Sequence, residues 1–115
     1  MNFFKDLQYV IREWNTDPIE DEWLFENFRA KYFNQFTSDE AFLAIGKITD
    51  TLLKEEDEST VCELLQTIIG LARKSQTTEV PKELIENRDI IDLKVSCYGD
   101  YAKNKLKELY AYYRL

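Results

Sequence analysis

The sequence predicts an all-α fold, a single domain over residues 1–115 built from five to seven antiparallel helices, stacked as hairpins or closed into a bundle. Three observations predict it. Apolar residues recur at three- and four-residue spacing along most of the chain, the period of a helix with one buried face. Residues of capping type stand just ahead of several of these runs. Three glycines and two prolines in 115 residues leave little material for turns.

The first helix is expected over 3–14, where Phe3, Leu7, Val10, Ile11 and Trp14 form one apolar face and Asn15 and Thr16 close it. Asp17-Pro18 reads as an N-cap followed by proline at the first helical position, where its missing N–H costs nothing. Glu20 stands three residues after Asp17, in capping-box register. The second helix is expected over about 18–34, with Trp23, Leu24, Phe28 and Tyr32 inward. Thr37 and Glu40 give the next capping pair, and Phe42, Ile45, Ile48, Leu52 and Leu53 mark a third helix near 38–54. Gly46 within it costs about 1 kcal/mol relative to alanine, and close approach of a neighbouring helix is its expected reason.

Glu55-Glu56-Asp57-Glu58 contains no apolar residue and links the third helix to the fourth. Thr60 and Glu63 supply a capping pair for a fourth helix near 59–74, with Val61, Leu64, Leu65, Ile68, Leu71 and Ala72 inward. Arg73 and Lys74 fall in its last turn, where cations meet the negative end of the dipole. Residues 75–80 form a polar loop, and Pro81 opens a short helix. Leu84, Ile85, Ile90, Ile91, Leu93 and Val95 fit either one helix or a helix and a strand. The Asn87-Arg88-Asp89 break favours two short helices, near 81–86 and 88–97, because a lone strand would leave backbone groups unpaired. Gly99-Asp100 stops and restarts the chain, and Ala102, Leu106, Leu109 and Tyr113 face the core from a last helix near 100–114.

Helix starts near 38, 59, 81 and 100 are about 20 residues apart, so a helix pair recurs at about 40, the period of stacked helical hairpins. The segment Ala41-Phe42-Leu43-Ala44-Ile45-Gly46-Lys47-Ile48-Thr49-Asp50, followed by Val61-Cys62-Glu63-Leu64-Leu65, resembles a HEAT-type repeat over about 30 residues. HEAT repeats carry an Ala-Leu-Gly-x-Ile-Gly-Asp stretch, then a second helix opening with small and leucine residues. Here Thr49 replaces one glycine, and the acidic link is longer. The resemblance implies HEAT-like stacked hairpins and, by analogy with the family, a protein-binding role. In such an array the aromatic-rich first helices would cap the stack.

Composition excludes several functions. With no histidine, the chain lacks the commonest general base and metal ligand, which removes Ser-His-Asp triads and HExxH zinc sites. A net charge of −7 argues against nucleic-acid binding, although Lys103, Lys105, Lys107 and Arg114 alternate with tyrosines in the last helix. No apolar run is long enough to span a membrane. Met1-Asn2-Phe3-Phe4-Lys5-Asp6 lacks the basic start and long apolar stretch of a signal peptide, so a cytoplasmic location is expected. Cys62 and Cys97 form no CxxC and are expected as buried free thiols, with a disulfide between them as the alternative. No cofactor or metal is expected. An enzyme would need a carboxylate pair, or Cys97, in a polar pocket.

The candidate binding residues are acidic and aromatic. Asp17, Glu20, Asp21 and Glu22 cluster at the second helix start, and Glu55, Glu56, Asp57 and Glu58 form the later link. Charge is uneven: residues 1–36 carry −3, residues 37–80 carry −5 and residues 81–115 carry +1. An acidic face steers a basic partner and raises its on-rate. Ten of the sixteen aromatics lie in residues 1–36, either as a helix buried on two sides or as an exposed anchor at Trp23 or Phe25. Trp23 and Phe25, two apart, cannot both point the same way. In size and charge the chain looks like the small acidic bacterial toxin-immunity proteins, a resemblance that implies binding and neutralising a cognate, basic toxin domain. The alternative is a small helical scaffold, adaptor or homodimer.

Overall fold

A computed structural model describes residues 3–15 and 23–115. Those residues form seven helices, joined by loops and turns: α1 (Phe3–Trp14), α2 (Leu24–Phe33), α3 (Ser38–Lys54), α4 (Glu58–Ser75), α5 (Lys82–Glu86), α6 (Arg88–Ser96) and α7 (Asp100–Tyr113). The fold is all-α, as the spacing predicts. None of these helices is long and apolar enough to cross a membrane.

The apolar periodicities explain the packing. Helix α1 buries Phe3, Leu7, Val10 and Ile11. Phe3 meets the rings of Phe28, Tyr32 and Phe36 with centroids 5.0–5.3 Å apart, so much of the aromatic excess of the first 36 residues is core. Thr37 and Glu40 form the expected capping box: Thr37 Oγ1 accepts the Glu40 N–H at 3.1 Å, and Glu40 Oε1 accepts the Thr37 N–H at 2.9 Å. Helix α7 buries Ala102, Leu106, Leu109 and Tyr113, the four residues its pattern selects. Residues 84–99 resolve into the greater part of α5 and the whole of α6. The break falls at Asn87, whose Nδ2–H donates to the Glu83 carbonyl at 2.7 Å and closes α5.

Two expectations are corrected. Helix α4 is capped by Asp57, which accepts the Thr60 N–H at 2.9 Å, not by a Thr60–Glu63 pair. Thr60 lies inside the first turn, buried, and its hydroxyl reaches Asn15 Oδ1 at 2.6 Å. Glu63 instead pairs with Arg29 of α2 at 3.3 Å. Second, α2 turns Phe25, Phe28 and Tyr32 inward while Trp23, just ahead of it, stays 57% exposed. Any N-terminal extension over 18–22, with the Asp17-Pro18-Glu20 start signal, lies outside the described residues.

The helices pair in chain order. Helix α1 packs on α2, α3 on α4, and α6 on α7, with α5 joined to α6. Between pairs, α2 and α7 both pack on α4, and α5 packs on α3. Helix α4 is therefore central. Its Glu63 and Gly70, seven apart and so on one face, meet α2; Ala72 and Arg73 meet α7. Leu64, Leu65, Ile68 and Leu71 fill the interior between. The shortest extent of the molecule, 19 Å, accommodates two helix layers at interaxial distances of about 10 Å. Glycine permits two close approaches. Gly46 of α3 sits under the Glu83 carboxylate of α5, and Gly70 of α4 under the Phe33 ring of α2. Buried hydroxyls inside helices are satisfied locally, as where Thr49 donates to the Ile45 carbonyl at 2.8 Å and Thr67 to that of Glu63 at 2.8 Å.

Candidate partner-binding surface

The acidic link between α3 and α4 is exposed and held in shape. Asp57 is fixed as the α4 N-cap, where the positive end of the helix dipole favours a carboxylate. Glu58 Oε1 accepts the Gly99 N–H at 3.3 Å, and the Tyr98 hydroxyl donates to the Glu56 carbonyl at 3.1 Å. The link is thus tied to the turn ahead of α7. From the other side, Trp14 Nε1–H donates to Ser59 Oγ at 3.1 Å, which brings the end of α1 to the start of α4. Glu56, Asp57 and Glu58 are exposed and Glu55 half-buried. Among the described residues, no lysine or arginine makes an ion pair with any of the four.

That negative charge is felt inside the fold. Burial pushes the Tyr98 phenol up, and the carboxylates of Glu56, Glu58 and Asp57 push it further. Burial likewise raises the Cys62 thiol, with Glu58, Glu63 and Asp57 adding to it. Cys62 is therefore held as a thiol, the opposite of an activated nucleophile. Both cysteines are free, but Cys97 is exposed, where the sequence suggested a buried thiol. It follows α6 at its last turn, on the outer side with Leu93. Among the described residues no group of three or more Cys, Asp or Glu side chains is arranged to hold a metal ion.

The other candidate residues separate. Asp17, Glu20, Asp21 and Glu22 lie outside the described residues. Trp23 presents most of its surface to solvent. Phe25 does not: it is fully buried, its ring edge-on to Trp14 at 5.3 Å between centroids. It is a core residue and not a surface anchor. Two residues of separation turn its side chain about 200° from that of Trp23, so exposure of one goes with burial of the other.

The structure adds a surface that the helical spacing does not single out. Helices α1 and α3 leave a groove between them, made of two adjoining hollows of about 540 and 200 Å³ that share Phe4 and Lys47. Phe36, Leu43 and Ala44 line one end; Asp50, Lys54 and Glu55 line the other. Phe4 is 41% and Leu43 69% exposed. The signal was present in the sequence, since both lie outside the inward stripe of their own helix. A second apolar stripe, Ile90 and Leu93 on α6, is also exposed.

Comparison with protein families, with curated proteins and with solved structures found no match to this chain.

Proposed function

We propose that the chain is a non-catalytic protein-binding module of the toxin-immunity kind, which neutralises a basic toxin domain in the bacterial cytoplasm by covering part of its surface. The observation that carries this reading is the Glu55–Glu58 link: four consecutive carboxylates, exposed or half-buried, without a cationic partner among the described residues. Holding like charges together without a cation between them is unfavourable in the free protein. A basic partner relieves it and is steered toward it over about a Debye length. The ties to Tyr98 and Gly99 hold the acids in place before the partner arrives, which lowers the ordering cost of binding.

The test begins with a tagged pull-down from the native cells, washed at low and high salt, and continues with association kinetics on the captured partner. One stoichiometric, basic partner is expected, lost at high salt. Glu55→Lys with Glu56→Lys should slow its association by about tenfold at low ionic strength and flatten the salt dependence. Unchanged association would remove the link as the docking surface. The exposure of Leu43, Ile90 and Leu93 favours a second reading, a helical scaffold or homo-oligomer. Salt-resistant partners, or capture of the chain alone, would move the function there.

A further inference from the structure

Helix α3 is closed on one side, by α5, and open on the other. Toward α5 the approach is close, with the Glu83 carboxylate lying directly over Gly46. Toward α1 the groove remains. It runs the length of α3 from Glu40 to Lys54, about 21 Å or four helical turns. Its two ends differ in chemistry. One end exposes Leu43 and Phe4 above a floor that includes Ala44. The other runs into Glu55, the first residue of the unpaired acidic link. Between them Lys47 and Lys54, on either side of Asp50 at helical spacing, make no ion pair among the described residues.

We propose that this groove receives an amphipathic helix of the partner, about four turns long, with its apolar face on Phe4 and Leu43 and a basic end against the Glu55–Glu58 link. The inference rests on the protein-binding reading above and deepens it by naming the element bound. A helix laid in a groove meets it through residues at i, i+3 or i+4, and i+7, the spacing that the exposed side chains of α3 present. Charge complementarity selects the occupant. Within the groove Lys47 and Lys54 balance Asp50 and Glu55. The exposed carboxylates of the link just beyond call for lysine or arginine, whereas a second copy of this chain brings a further −7 toward the same acids.

The probe is a displayed library of helix-forming peptides about four turns long, selected on the intact chain. Enriched peptides should carry apolar residues at helical spacing and a cluster of lysine or arginine at one end. Their affinity should fall by about tenfold on Leu43→Asp, and again on the independent variant Phe4→Ala. Both side chains are partly or largely exposed, and circular dichroism confirms that each variant stays folded. Glu55→Lys with Glu56→Lys should weaken the same peptides in a salt-dependent way. Absence of enrichment, or peptides indifferent to Leu43→Asp and Phe4→Ala, would overturn the groove. If only the groove fails, charge reversal still slows the natural partner. If only the acidic reading fails, Leu43→Asp weakens the peptides and charge reversal does nothing, which overturns the basic end. A dimer in sedimentation that Leu43→Asp dissociates would make the occupant a second copy and sink the proposal.

Discussion

At the scale of single residues, the two glycines of close approach should behave differently. An alanine at Gly46 meets the carboxylate end of Glu83, a flexible chain that can swing aside. An alanine at Gly70 meets the Phe33 ring, which is stiff and packed against the core. Gly46→Ala should therefore leave stability within about 1 kcal/mol of the parent, because the gain in helix propensity offsets the displaced side chain. Gly70→Ala should cost about 1–3 kcal/mol through overpacking, read from the urea midpoint. Ionisable residues make a second expectation. Burial, followed by the hydrogen bond it donates to Asp6, raises the Tyr32 phenol to about 12. A group raised in the fold contributes stability that is complete below its unfolded pKa, near 10 for tyrosine, and is lost as pH climbs toward the folded value. Burial also raises Tyr110 and Tyr113. The urea midpoint should thus hold to about pH 10 and fall between there and about 12, less steeply in Tyr32→Phe. Asp6 has the opposite sign. The Tyr32 hydroxyl first, and Lys31 after it, hold its carboxyl below the usual range, so its contribution is lost only in acid, as pH falls through the lowered value.

At the scale of elements, the start of α4 offers a clean comparison. Asp57→Ala removes the cap of α4 and should cost about 1 kcal/mol. Glu56→Ala, on an exposed neighbour, should change stability by less than about 0.5 kcal/mol. Equal effects in thermal or urea unfolding would mean the cap contributes nothing. Helix limits were the most legible part of the sequence. Helix α3 begins and ends where its capping box and polar flank place it, and α7 buries the four residues its spacing picks out. Local chemistry fixes such limits, and local chemistry is written in the sequence. The inward face of α2 was not legible, because Trp23-Leu24-Phe25 offers three apolar residues in succession. Contact with Trp14 of another helix decides in favour of Phe25. The α4 cap was misplaced for a related reason: Thr60 and Glu63 fit the box pattern, but both side chains are taken by Asn15 and Arg29, distant in sequence. Of the candidate site, the acidic link could be read directly, as a run without apolar residues. The groove could not, since it exists only through the placement of α1 beside α3.

At the scale of the whole molecule, acid and apolar surface are arranged along one side of α3, from Leu43 through Lys47 to Glu55. The C-terminal third, with its slight positive charge, packs on α4 through α7 and carries the Ile90–Leu93 stripe instead. The α3–α4 pair is flanked by α1–α2 on one side and by α5, α6 and α7 on the other. One consequence concerns how the molecule opens. Helix α4 is covered by α3, α2 and α7, and eleven of its residues are buried. Its amides become accessible to deuterium only when neighbours on several sides have left. They should be the last to exchange, at a rate set by global unfolding, while α6, with two buried residues, exchanges through local opening. Protection that was uniform from α1 to α7 would mean the chain opens as one unit, with no central helix outlasting the rest.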